Sequence, residues 1–212
     1  MAKGKGAGTV LLAGVLALAV ASAGEDSGPA PDSGSSQAVA NTFAARIAAS
    51  QEAARRGDIA AAAQQLGMTA GPRARRHNVN CAAFATGQVR QYLLRTPCRS
   101  MDRLLFTIRD ARGGTIAVAV AWVDFRTGAE AREFRRIDDA PGTGRIKPLP
   151  GSVAGIPNVA LSGRHHRSRQ VGTTAVSADA EPVVSGQQTD TLLDGVAGVA
   201  VLLPHLYGQA GK

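Results

Sequence analysis

Residues 80–125 read NCAAFATGQVRQYLLRTPCRSMDRLLFTIRDARGGTIAVAVAWVDF, and the changes of period within them decide the fold. Ala85, Val89, Tyr92 and Leu93 recur on one helical face, with Asn80 placed as N-cap. Thr96-Pro97 ends that helix, because proline biases the residue before it away from the α region. The period then falls from 3.6 to 2. Leu104, Phe106 and Ile108 alternate with Leu105, Thr107 and Arg109; beyond Asp110–Gly114, Ile116, Val118, Val120 and Trp122 alternate with Ala117, Ala119 and Ala121. Two such runs around a glycine turn read as a β-hairpin. One face of its second strand is bulky and the other is alanine, so the alanine face is expected to be at least partly covered.

Cys81 and Cys98, the two cysteines of the chain, flank the helix. A bridge needs Cα atoms about 4.4–6.8 Å apart. A helix running from 81 to 95 would span roughly 21 Å, and three further residues reach back only about 10 Å. A shorter helix, about 84 to 94, spans roughly 15 Å and lets its flanks close the ring. The shorter helix and the Cys81–Cys98 disulfide are therefore predicted together.

Outward from this centre, Lys3 and Lys5 precede an apolar run from Ala7 to Ala23 that ends Ala21-Ser22-Ala23. That is the layout of a signal peptide, and its strongest apolar core, Val10 to Val20, is short for a bilayer span. Residues 1–23 are read as a cleaved signal or, if the whole run inserts, a single-pass anchor. Both place the remainder outside the cytoplasm, secreted or membrane-anchored, with membrane contact only through residues 7–23. Residues 24–37 form a Gly/Pro/Ser spacer. Residues 38–70 form an alanine-rich helical segment, a stalk or a docked hairpin, broken at Gly57. Residues 71–204 form the globular domain, opening with a basic linker, Gly71 to Asn78. Residues 205–212 are a loose tail.

After the hairpin, Thr127 with Glu130 makes a capping box for a helix bearing Ala131, Phe134 and Ile137. Strand-like runs follow at Asn158–Arg164 and Val171–Ala178. A last helix, with Ser185 and Gln188 as its capping box, carries Leu192, Val196, Val199 and Leu203. The expected class is α+β: an antiparallel or mixed sheet of about four strands in α-β-β-α-β-β-α order, helices mainly on one face.

The chain is +8, with 24 Lys and Arg against 16 acids. Residues 59–101 hold six arginines, and residues 140–178 hold four arginines, Lys147 and two histidines, with no carboxylate in residues 59–101 or 140–178. If these segments share a face, Arg73, Arg75, Arg76, Arg164, His166, Arg167 and Arg169 form a surface for a polyanion or acidic partner, since guanidinium forks match phosphate and carboxylate. Zinc-type ligand spacing is missing, so no metal or other cofactor is expected. Aromatic residues are too few for a nucleic-acid stacking platform, and export separates the chain from nucleic acid. The familiar nucleophile motifs are missing, which leaves Ser162 with His165 or His166 as the one candidate hydrolytic dyad. Adjacent histidines on a strand point to opposite faces and do not chelate one metal together.

With its apolar N-terminus, low-complexity spacer and single disulfide-bearing domain, the chain resembles the small exported or single-anchor envelope proteins of actinobacteria. That resemblance is to a type; it has no defining motif and transfers no functional residue. It implies an extracytoplasmic domain with an anionic envelope polymer or a membrane protein as partner. Three functions follow as expectations: non-catalytic binding through the arginines, hydrolysis by the Ser162 dyad, or assembly through residues 39–66.

Overall fold

The structure is a computed structural model that describes residues 33–157, 159–184 and 188–205. Residues 1–23, the spacer up to residue 32, Ser185 and the tail beyond His205 lie outside them. Among the described residues, no helix is long and apolar enough to cross a membrane.

Among the described residues the fold is α+β, five α-helices around a five-strand antiparallel sheet. In chain order the elements are α1 (Ser33–Arg55), α2 (Ile59–Gln65), β1 (Thr69–Asn78), α3 (Gly87–Arg95), β2 (Ser100–Arg109), β3 (Thr115–Asp124), α4 (Gly128–Asp138), β4 (His166–Val171), β5 (Thr174–Pro182) and α5 (Asp190–Ala200). The sheet order is β1-β2-β3-β5-β4. The hairpin read from the sequence is its centre: Leu104 pairs with Val120, Phe106 with Val118 and Ile108 with Ile116.

Each face of this sheet has its own core. On one face Leu104, Phe106, Ile116, Val118 and Trp122 meet α5, α2 and the C-terminal part of α1. Ala53, Ala54, Ile59, Ala62, Ala63 and Leu66 enter this core, so the 53–66 part of the 38–70 segment docks on the domain, while Val39 stays exposed. On the other face Met101, Ala121, Val123 and Ala175 meet α3 and α4. There Phe125 and Phe134 approach to 5.3 Å between ring centroids, beside Tyr92. Further along the same face, Leu105 and Ala119 lie under Leu149 and Ala154. The expectation of helices mainly on one face is corrected, because helices cover both. The alanines of β3 present a low surface against which the second layer lies close.

Two strand assignments also change. Gly71–Asn78, read as a linker, belongs to the edge strand β1. Only one side of an edge strand needs a partner, and exposed arginines are tolerated there. Asn158–Arg164 forms no strand at its described residues. The fourth strand in sequence is His166–Val171, and Val171 ends it where β5 was expected to begin. The helix after Cys81 is short as predicted. A 3-10 turn over Cys81–Phe84 precedes α3, and the Cys81–Cys98 disulfide closes at a Cα separation of 6.3 Å. Asn80 makes no side-chain cap. Thr127 and Glu130 form the predicted capping box on α4, whereas α5 is capped by Thr189, whose hydroxyl accepts from the Leu192 amide.

Candidate functional site

A large cleft, about 910 Å³, opens among the described residues at the β4 edge between the C-terminal end of α4 and the N-terminal end of α5. Ser162, Arg164, His165 and His166, all singled out in the sequence, line it. The alternation along the start of β4 sends the two histidines to opposite faces. His165 is 3 % exposed, with Nδ1 3.0 Å from Asp194 Oδ1 and Nε2 3.4 Å from Asp190 Oδ1, both on α5. Arg167 faces the same way, 3.2 Å from Asp194. The hydrogen bond from His165 and the charge of Arg167 hold the Asp194 carboxyl below the usual carboxylate range.

His166 faces α4. Its Nδ1 is 3.3 Å from Asp179 Oδ1, and its Nε2 is 3.3 Å from Asp139 Oδ1 and 3.8 Å from Asp138 Oδ2. Burial pulls this imidazole down, but Asp179, Asp138 and Asp139 outweigh it and raise its pKa to about 8. Burial pushes the Asp138 carboxyl up to about 6; His166 and Ser177 counter this in part, while Asp179 and Asp139 add to it. A proton-donating imidazolium and a carboxyl that titrates within reach of neutral pH thus lie at one end of the cleft. Sequence reading weighs Asp138 and Asp139 as a carboxylate pair but sets them aside as solvent-facing, and it misses Asp179. Asp138-Asp139 reads as solvated helix end, and Asp179 sits in an otherwise ordinary strand.

Ser162 is not brought to a histidine. Its hydroxyl donates to Glu181 Oε1 and accepts from the Arg164 amide, while the ring nitrogens of both histidines face aspartates. Arg145 anchors this wall by donating to the carbonyls of Leu161 and Ser162.

The arginines expected to share one surface divide between the two edges of the sheet. Arg73, Arg75 and Arg76 are on β1, and Arg167 and Arg169 on β4. Four strand spacings separate these edges, roughly 19 Å. Arg169 donates to the carbonyls of Val201 and Leu202 just beyond α5, so it serves as a helix C-cap. Arg76 pairs across from Arg103 on the face opposite to Arg73 and Arg75.

Beside β1 a second, smaller pocket of about 330 Å³ is lined by Arg73, Arg75, Leu104, Trp122, Leu203 and Pro204, among others, with no carboxylate in its lining. The Arg75 guanidinium lies 5.4 Å from the Trp122 ring centroid, in cation–π range. Beneath it Asp102, with a fully buried side chain, takes Arg75 Nε at 3.7 Å, His77 Nδ1 at 3.2 Å and His205 Nε2 at 2.6 Å. Arg73 is exposed and makes no ion pair with a described carboxylate. Among the described residues no group of three or more His, Cys, Asp and Glu side chains is arranged to hold a metal ion.

No family model, no curated protein and no solved structure matches this chain.

Proposed function

We propose that the chain is a non-catalytic extracytoplasmic binding domain that takes an anionic group of an envelope polymer into the pocket beside β1. The observation that carries this reading is the acid-free lining of that pocket, where the Arg75 guanidinium lies over the Trp122 ring and Arg73 joins the same lining. Arg75 is positioned by Asp102 and Trp122, so it meets a ligand already oriented. Arg73 supplies the exposed charge that first attracts a polyanion. The extracytoplasmic location rests on the basic and apolar N-terminus and on the disulfide, a bond that persists in oxidising compartments.

The test is fluorescence anisotropy with labelled polyphosphate and labelled polyglutamate at low and high NaCl. Binding should weaken with salt and fall about tenfold in Arg73→Ala. It should be indifferent to Arg164→Ala and Arg167→Ala on the other edge. Undiminished binding in Arg73→Ala/Arg75→Ala would remove this reading, and preference for polyglutamate over polyphosphate would make the partner an acidic protein.

A further inference from the structure

We propose that the pocket beside β1 takes an oxyanion borne on an apolar chain, an alkyl phosphate or its acyl equivalent, with the headgroup on the arginines and the chain laid over Trp122. The inference rests on the anion-binding reading above and narrows its class of ligand. Apart from Arg73 and Arg75, the side chains of the described lining are apolar, chiefly Ile59, Leu104, Trp122, Leu203 and Pro204. The Trp122 indole N–H is not open to a hydrophilic ligand, because it donates to the Leu203 carbonyl at 3.2 Å. A hydrated polymer segment entering this slot gives up water for few hydrogen bonds, which costs free energy. A hydrocarbon chain gains by the same burial. The volume of about 330 Å³ suits a small ligand.

The charge of the pocket points the same way. Asp102, with its side chain fully buried, lies 3.7 Å from Arg75 Nε and offsets that guanidinium. With the His77 and His205 imidazoles neutral, Arg73, Arg75 and Asp102 together carry one positive charge. That balances a single headgroup rather than a run of charges. A second observation concerns what lies behind the floor. Ile59 and Leu203 also line an apolar void of about 20 Å³ among α1, α2, α5 and the sheet, together with Phe106, Ile108 and Val196. Its one polar side chain, Ser50, donates to the Ala62 carbonyl at 2.7 Å. The void therefore offers water too few partners and stays dry. Ile59 and Leu203 are common to both linings, so a chain directed inward from Trp122 lengthens its burial by displacing them.

Trp122 is the chain's one tryptophan, so its fluorescence reports on this pocket. Butyl phosphate, hexyl phosphate, inorganic phosphate and hexanol are titrated below their aggregation concentrations. Hexyl phosphate is expected to give a saturable change in emission and to displace labelled polyphosphate. Each added methylene should tighten binding about threefold, so hexyl phosphate binds about tenfold better than butyl phosphate. Inorganic phosphate and hexanol, each lacking one half of the ligand, fall short of hexyl phosphate by about tenfold or more. Arg73→Gln, at an exposed position, weakens hexyl phosphate about tenfold, and Arg164→Gln on the other edge leaves it unchanged. Polyphosphate that binds through Arg73 while hexyl phosphate binds no better than inorganic phosphate would overturn the apolar chain and leave the anion-binding reading standing. Hexanol equal to hexyl phosphate, or indifference of hexyl phosphate to Arg73→Gln, would overturn both. No emission change and no displacement of polyphosphate by hexyl phosphate would also refute the proposal.

Discussion

Replacing Asp138 with asparagine tests the electrostatic account of the β4 edge most directly. The carboxyl moves from an ordinary 3.8 to about 6 in the fold, chiefly through burial. For an acid raised in this way, the native state binds its proton more tightly than the unfolded chain does. The resulting stability is fully present below pH 3.8 and is lost as pH rises to about 6. Each pKa unit corresponds to about 1.4 kcal/mol, so the ionised carboxylate costs roughly 3 kcal/mol at pH 7. Asparagine resembles the neutral acid and removes this cost. Asp138→Asn is therefore expected to be more stable than the parent by up to about 3 kcal/mol at pH 7, and by less than about 1 kcal/mol at pH 4. Urea unfolding at both pH values measures the difference. His166 should also titrate below its value of about 8 in the variant, because one of its neighbouring carboxylates is gone. A variant less stable than the parent at pH 7, by an amount independent of pH, would refute the reasoning. Asp138 would then be held by hydrogen bonds that more than offset its desolvation.

The disulfide spans a sequence separation of 17 residues, and loop-closure entropy gives about 3 kcal/mol for it. Reduction, or Cys98→Ser, should lower the urea-unfolding free energy by about that much while leaving the secondary structure measured by circular dichroism intact. Phe134, 1 % exposed against Phe125 and Tyr92, should cost about 3–5 kcal/mol on truncation to alanine, measured by the same denaturation. Thr127→Ala breaks the capping box on α4 and should cost about 1 kcal/mol, with the exchange of the Glu130 amide accelerating first.

The centre of the sheet was legible because its strands are buried on both sides and their side chains alternate between bulky and small. The disulfide was legible because chain length and helix rise leave one geometry for it. β1 and β4 were not legible for a common reason. GPRARRHN and HRSRQV carry almost no apolar residue, and an edge strand inherits its register from its neighbour through the backbone ladder. Asn158–Arg164 misled because Val159 and Leu161 alternate as in a strand, although the carbonyls at Leu161 and Ser162 are taken by Arg145. The candidate sites were half visible. Ser162, Arg164, His165 and His166 lie together at the cleft, but the aspartates facing them come from other elements. Which arginines share a surface depends on strand order, and sequence charge alone does not contain it.

β4 has a dynamic consequence. Its one apolar side chain, Val171, is half exposed. It is joined to the molecule by its ladder with β5, by imidazole and guanidinium contacts to aspartates on α4, β5 and α5, and by Arg169 at the end of α5. Hydrophobic burial secures β2 and β3 against solvent exchange, but this margin depends on protonation state and ionic strength. Acid that neutralises Asp194 and its neighbours loosens the strand while the centre stays shut, so the molecule has a seam of low local stability along one wall of the β4-edge cleft. Opening there would admit a bulky ligand without disturbing the core.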